Sequence, residues 1–352
     1  MTPGAPRQAE NPDPMPDRDP PETMRALELS AYDGLGSLAV VEKPVPTPGP
    51  GQVLVRVAAA SVNPSDLMFV RGRYGFTRAL PTVPGFEGSG RVVAGEGPYA
   101  RALVGRRVAC GVQREGDGTW AEYVLADAHA CLPLLPGVSF DEGAGLLVNP
   151  LTAVALVERA GRGGHRAVVQ TAAGSALGRM LARLAARRGI GVIDVVRRAE
   201  QVEELRAAGT ASVLCSDDAD FEGRLEEACK TLGATLAFDA VAGDLPGRLL
   251  AAMPRGSAVV VYGALSGEAV GVPPEALIFQ GKRVEGFWLS DYLGSLGLPG
   301  LVRRAVAVQR ALRGDLRVEV RVRVGLEEAV AAVQDYERAM SGGKVLITPG
   351  RP

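Results

Sequence analysis

The 352 residues suffice for roughly two domains of ordinary size, and a chain with 47% hydrophobic and 22% charged residues can bury sizeable cores. A formal net charge of −1 gives no long-range attraction to nucleic acid or an anionic membrane surface. Charged residues interrupt every apolar run before the roughly 18 residues a membrane span needs.

Residues 1–23 are Pro-rich, polar and aperiodic, so the expectation is a disordered tail that cannot bury enough apolar surface to offset its ordering entropy. Five acids (Glu10, Asp13, Asp17, Asp19 and Glu22) and the absence of an apolar stretch argue against a transit peptide or a secretory signal, and the expected location is the cytoplasm. From Met24 to about Phe140 the pattern is mostly β. Short runs such as Val53–Ala59 and Gly90–Val93 lie between Pro/Gly turns at Pro44–Gly51 and Pro81–Gly85, which suggests a barrel or sandwich. The four cysteines, Cys110, Cys131, Cys215 and Cys229, form no C-x-x-C pair and read as free thiols of a reducing compartment.

At Asn149-Pro150 the texture changes, with Asn as the expected N-cap of a helix to about Ala160 and Pro at its first position. Strand and helix patterns then alternate. Strands are expected at Arg166–Thr171, Val192–Val196, Ser212–Cys215, Thr235–Val241, Ala258–Tyr262 and Arg283–Leu289. Helices are expected at Ala176–Arg188, Ala199–Ala208, Phe221–Leu232 and Pro246–Met253. Such alternation implies a parallel sheet covered on both faces, a doubly wound α/β domain over 149–298. A helix at Pro299–Gly314, a strand at Arg317–Val324, a helix at Leu326–Met340 and a strand at Lys344–Thr348 complete the chain.

The first of these strands enters Ala172-Ala173-Gly174-Ser175-Ala176-Leu177-Gly178 and passes straight into a helix. Small residues there let backbone N–H groups and the helix N-terminus approach a pyrophosphate, although the spacing is Ala-x-Gly-x-x-x-Gly rather than G-x-G-x-x-G. Ala173, Gly174, Ser175, Ala176, Leu177 and Gly178 are therefore candidate cofactor contacts. Arg197, 19 residues beyond Gly178, and Arg198 beside it stand where an NAD site wants a carboxylate. Two guanidiniums suit a 2′-phosphate, so NADPH is expected as the cofactor. The rival acid Asp194 falls inside the strand pattern rather than at its end.

Together the β-rich front, the dinucleotide domain and the C-terminal return resemble the medium-chain dehydrogenase/reductase superfamily over essentially Met24 to Pro349. That resemblance implies a GroES-like catalytic domain built from 24–148 and 299–352, with a Rossmann domain over 149–298. It also implies a homodimer paired through a sheet edge, for which Ala258–Tyr262 and Arg283–Leu289 are the candidate strands. Zinc-dependent members carry a metal-binding Cys where this chain has Asn63-Pro64-Ser65-Asp66, and Gly-His-Glu-Gly where it has Gly85-Phe86-Glu87-Gly88. His129 and His165, the only histidines, have no ligand-like neighbours in sequence, so no metal is expected.

Within the zinc-free branch the chain is similar to 2-enoyl thioester reductases of the mitochondrial type. The resemblance is carried by Asn63–Asp66 with Gly72–Gly75, by Val148–Ala153, Thr171–Gly178 and Val195–Arg197, and by Gly286-Phe287-Trp288-Leu289-Ser290. A departure is Gly174, where those reductases usually have Asn. The resemblance implies Tyr74, Asn63 and Trp288 as catalytic residues. It implies Asn149, Thr152, Tyr262, Phe287, Trp288 and Leu289 as cofactor neighbours beside the glycine loop and Arg197–Arg198.

Reducing an activated C=C needs a hydride at the β-carbon, charge stabilisation at the thioester oxygen and a proton at the α-carbon. A phenol, ordinarily protonated at neutral pH, can serve the last two needs. The implied reaction is NADPH-dependent reduction of a 2-enoyl thioester of CoA or acyl-carrier protein. A quinone oxidoreductase or enone reductase is the alternative, and a non-catalytic NADPH-binding protein is an alternative of another class.

Overall fold

The structure, a computed structural model, describes residues 19–112 and 114–350 and divides into two compact units. Most of the expected tail, residues 1–18, lies outside the described residues. Residues 19–23 correct that expectation at its end: a strand begins at Thr23, and the Val45 N–H donates to the Glu22 carbonyl at 3.0 Å.

The first unit comprises residues up to Leu147 together with Val320–Arg338 and Lys344 onward. Its seven-stranded sheet runs in the order Val320–Val324, Lys344–Ile347, Gln52–Ser61, Glu87–Gly95, Arg107–Gly111 and Cys131–Pro133, with Tyr123–Asp127 also paired to Gln52–Ser61. Register shifts at Leu54/Val55 and Val57/Ala59 interrupt the central ladder, and bulges of this kind bend a sheet and raise its twist. Trp120 is fully buried beneath it and donates its indole N–H to the Ser61 carbonyl at 3.3 Å. The β reading of the front half held for the strands but hid the helix Pro64–Val70. Its seven residues are too few to display a helical period.

The second unit comprises Val148–Glu319 and Ala339–Gly343. Its six strands are all parallel, in the spatial order Val213–Cys215, Gly191–Val196, Ala167–Gln170, Ala234–Asp239, Ala258–Val261 and Arg283–Gly286. This is the order of a Rossmann sheet, with the unit's first strand, Ala167–Gln170, central and the direction of progress reversing beside it. Continuous apolar strands, Val168, Val169, Ile193, Val195, Phe238 and Val259 among them, are buried because helices cover both faces.

Three expectations are corrected in this unit. The helix Val148–Arg162 starts one residue early, so Asn149 lies within its first turn rather than capping it. Ala258–Val261 is an interior strand, which leaves only Arg283–Gly286 at that edge. Residues 299–319 group with this unit and not with the first. The helix Gly297–Ala311 is anchored by Arg304, whose guanidinium donates to Glu158 at 2.6 Å and to the Tyr292 hydroxyl at 2.7 Å. Among the described residues no helix is long and apolar enough to cross a membrane.

Candidate active site

The parallel strands of the second unit end together. Thr171 follows the first, Arg197 the second, Ala240 the fourth, Tyr262 the fifth and Phe287 the sixth, along the carboxyl edge where such sheets take their ligands. The glycine loop leaves this edge under tight constraint. Ala172 holds a left-handed φ of 50°, unusual for a residue with a Cβ. Ser175 caps the helix Ala176–Arg187 by accepting from the Gly178 N–H at 3.0 Å.

The two glycines of the loop differ in their reasons. A Cβ on Gly178 would lie 2.6 Å from the Ala173 carbonyl oxygen, so internal packing demands glycine there. A Cβ on Gly174 would meet nothing closer than the Gln201 amide at 3.7 Å. No described residue fills that space, as expected where a backbone must admit a pyrophosphate. Ala173 and Leu177 are buried, and Ser175 and Ala176 are partly accessible.

Arg197 and Arg198 are exposed at the end of their strand. Asp194 is buried inside that strand, as its position in the pattern implies, and its neighbour is Gln170 at 2.5 Å. At the fifth strand end the Tyr262 hydroxyl is buried without a hydrogen-bond partner, an orphan donor of the kind a bound amide or ribose would satisfy. Phe287 donates its N–H to Val261, and half-buried Trp288 precedes the helix Leu289–Gly294. That helix was missed because its six residues continue an aromatic, strand-like run. Asn149 and Thr152 are buried in the first turns of Val148–Arg162.

Sequence reasoning also missed Asp239. Its carboxylate accepts from the Thr171 hydroxyl at 2.7 Å and the Ala242 N–H at 2.7 Å, fixing the loop after the fourth strand. An Asp closing an apolar run ahead of Ala-Val-Ala-Gly is the sequence signal, and the structure adds that Ala242 is left-handed, with φ 63°. The open gap at Gly174, the orphan Tyr262 hydroxyl and the exposed Arg197–Arg198 pair fit a nicotinamide dinucleotide. A separate groove of about 880 Å³, lined by Gly191, Val192, Ser212 and the helix Phe221–Leu232, lies at the amino ends of the strands and holds none of these residues.

In the first unit, Tyr74 sits half-buried on an aromatic platform, its ring 4.5 Å from Phe86 and 5.2 Å from Phe76. Phe69 packs edge-on to Phe86 at 5.6 Å, and the Arg78 guanidinium lies 5.0 Å from the Phe69 centroid while donating to the Val83 carbonyl at 3.1 Å. Phe86 occupies the place of the ligand His in Gly-His-Glu-Gly, and its ring faces other rings. Among the described residues no three His, Cys, Asp or Glu side chains gather as a metal site.

Beneath the platform runs a buried network. Glu87 accepts from Ser61 Oγ at 2.7 Å, from Asn63 Nδ2 at 3.0 Å and from the Leu147 N–H at 2.8 Å. Asn63 Nδ2 also reaches Ser61 Oγ at 3.0 Å, and Asn63 Oδ1 accepts from Lys344 Nζ, which lies 3.8 Å from Glu87. Asp66 accepts from the backbone N–H groups of Asn63 at 2.7 Å and Phe86 at 3.0 Å. Burial pushes the Asp66 carboxyl up to about 7, with the two backbone donors and Lys344 opposing the rise and Glu87 adding to it. Burial likewise pulls the Lys344 ammonium down against the attraction of Glu87 and Asp66. Both ends of the Asn63 amide are engaged in the interior. Asn63 thereby holds the start of the helix Pro64–Val70 and Glu87, while Tyr74 is the partly accessible side chain.

A doubly wound dinucleotide unit joined to a β-rich unit closed by C-terminal strands defines a two-domain nicotinamide-dependent oxidoreductase. Residues 49–136 match the alcohol dehydrogenase GroES-like domain and residues 176–305 the zinc-binding dehydrogenase domain. The chain is 31% identical over 284 residues to the mitochondrial enoyl-[acyl-carrier-protein] reductase of Caenorhabditis elegans, covering 78% of this chain and 76% of that one. A Mesorhizobium loti structure solved as a candidate NADPH:quinone reductase is 38% identical with a TM-score of 0.87, covering 94% of this chain and all (100%) of that one. A mycobacterial protein solved with NADPH is 27% identical with a TM-score of 0.80, covering 93% and 100%. The chain belongs to the medium-chain dehydrogenase/reductase superfamily, in the branch that contains enoyl reductases and quinone oxidoreductases.

Proposed function

We propose that the protein is a zinc-independent, NADPH-dependent reductase of the C=C bond of 2-enoyl thioesters of CoA or acyl-carrier protein. The observation that carries the reading is Tyr74, a phenol held at a partly accessible surface on Phe86 and Phe76. NADPH, when bound, supplies the hydride. The exposed Arg197 and Arg198 fork onto its 2′-phosphate, the open space at Gly174 admits its pyrophosphate, and the Tyr262 hydroxyl gains a partner. Tyr74 donates a hydrogen bond to the thioester oxygen as charge develops there, or delivers the proton to the α-carbon. Asp66 pins the Phe86 backbone and so keeps the ring platform under Tyr74. With aromatic rings where a ligand His would stand, polarisation of the carbonyl falls to hydrogen bonding.

The similarity to enoyl-[acyl-carrier-protein] reductases supports the thioester as substrate. The 38% identity to a candidate NADPH:quinone reductase favours a second reading, reduction of quinones or simple enones on the same aromatic surface. NADPH oxidation with crotonyl-CoA separates them: rapid turnover is expected, and its absence alongside efficient quinone reduction would overturn the thioester reading. Tight NADPH binding without turnover of any activated alkene would leave the non-catalytic alternative. Four buried free cysteines suit the reducing cytoplasm. A homodimer is supported by the Arg283–Gly286 edge strand and by Ile278 and Phe279 nearby in the chain, 69% and 67% exposed. Sedimentation should give twice the chain mass, and a monomer would refute it.

A further inference from the structure

The polar pair Gln170–Asp194 takes no part in the chemistry above, yet it is buried where burial is costly. Both side chains are 2% exposed or less. Asp194 lies in the strand Gly191–Val196, in register with Gln170 on one side and Val213 on the other. The strands Ala167–Gln170 and Val213–Cys215 carry no charged residue. On the helix Ala176–Arg187, Arg179 turns to the Gly174 carbonyl and Glu319, and Arg183 lies among Glu319, Arg317, Arg179 and Asp315. Glu200, Glu203, Glu204 and Arg206 of the helix Ala199–Ala207 are exposed. Among the described residues Asp194 therefore has no cation to offset its burial, and its one side-chain partner is the Gln170 amide.

That amide has a second contact. Gln170 Nε2 donates to Asp194 Oδ1 at 2.5 Å and to the Gly178 carbonyl at 3.0 Å, while its Oε1 is buried without a partner. Two acceptors at one end of an amide fix which end carries the hydrogens. Gly178 is the glycine that packing demands, and its N–H is held by Ser175 Oγ. The Gln170 hydrogen bond thus fixes the other half of the same residue, at the junction of glycine loop and helix.

We propose that Asp194 is a positioning residue for the dinucleotide: its carboxylate orients the Gln170 amide so that it grips the Gly178 carbonyl and sets the loop in the geometry that receives a pyrophosphate. The inference rests on the dinucleotide reading of that loop. A protonated Asp194 donates to Gln170 Oε1 instead, which satisfies the orphan oxygen, permits the amide to turn and releases Gly178. Burial raises the Asp194 carboxyl to about 6, with only the Gln170 hydrogen bond opposing, so the exchange falls in an accessible pH range. An Asn would fill the same volume without the burial cost of a charge, and would hold the amide no better than the protonated acid does.

The test is dissociation constants for NADPH and NADH, read by nicotinamide fluorescence at about pH 7.5 and about pH 5 for the full chain, Asp194→Asn and Gln170→Met. At the higher pH both variants are expected to bind about two- to tenfold more weakly, the worth of one hydrogen bond. At the lower pH the Asp194→Asn ratio to wild type should fall toward one, and taking the ratio cancels the ligand's own phosphate titration. Combining the variants should cost no more than one alone. Asp194→Asn should melt no lower than wild type at the higher pH, which excludes unfolding as the cause. An unchanged ratio at both pH values, or wild-type affinity in Asp194→Asn, overturns the proposal. Because the pyrophosphate is common to both dinucleotides, a preference for NADH would refute the NADPH reading and leave this one standing. Failure to bind either would end both.

Discussion

Each unit buries carboxylates, and the Glu87–Asp66 pair of the first contrasts with Asp194 of the second. In the first, Glu87 and Asp66 share one ammonium, Lys344, and every carboxylate oxygen meets a donor: Ser61, Asn63, the Leu147 N–H or the backbone of Asn63 and Phe86. In the second, Asp194 has an amide and, among the described residues, no cation. The first arrangement ties together distant parts of the chain and serves architecture. The second is costly to the fold and rests against the loop that takes the ligand. A buried charge that is compensated reads as scaffold, and one that is not invites a functional explanation.

The largest effect expected from this contrast is at Lys344. Lys344→Met strands Glu87 and Asp66 without their ammonium and should cost about 3–5 kcal/mol in denaturant unfolding, as breaking a buried pair does. A loss under 1 kcal/mol would mean that the carboxyls neutralise by taking up protons, and the contrast would collapse. Next is Arg197→Ala with Arg198→Ala. Losing charge-assisted hydrogen bonds at this exposed pair, worth about 1.5–3 kcal/mol in all, should weaken NADPH by one to two orders of magnitude and NADH little. Equal losses would show that the pair does not read the 2′-phosphate.

Tyr74→Phe should then lower kcat with an enoyl thioester at least tenfold, about 1.4 kcal/mol, while leaving quinone reduction nearly unchanged. A last pair concerns the glycines. Gly178→Ala should lower stability by about 1–3 kcal/mol through overpacking against Ala173. Gly174→Ala should leave the melting temperature unchanged and weaken dinucleotide binding severalfold. A reversed result would exchange the roles assigned to the two positions.

Stability against pH carries a contribution of the same sign from each unit, since burial raises Asp66 to about 7 and Asp194 to about 6. The Asp194 carboxyl titrates higher in the folded state, at about 6, than its ordinary value of 3.8. Its protonated form is therefore favoured by folding, and that contribution is lost as pH rises from about 4 through 6. Asp194→Asn should remove this part of the slope, so its stability advantage over wild type grows toward neutral pH.

The second unit was legible because its first four strands are largely apolar runs, each followed by a helix with its own period. Arg197 could be placed at a strand end by counting from Gly178 alone. The short helices Pro64–Val70 and Leu289–Gly294 could not be read, having too few turns to show a period. The bond from Lys344 to Asn63 spans 281 positions, and no local pattern announces it. Asn63 was read from a motif shared with reductases, and the motif carries no record of how many hydrogen-bond partners its amide has. Asp194 was weighed as a ribose ligand and set aside for lying too early in its strand. The reason it stands there, the Gln170 amide one strand away, required the sheet to be assembled.

The first unit's network has one further consequence, and it concerns time. Asn63, Asp66 and Glu87 leave the ribosome early, and Lys344 is made only after the whole of Val148–Glu319. At roughly 5–20 residues per second the two carboxyls wait on the order of ten seconds or more for their ammonium. The nucleotide-binding unit can mature on the nascent chain, whereas the unit that carries Tyr74 waits for the strand Lys344–Ile347, made after it.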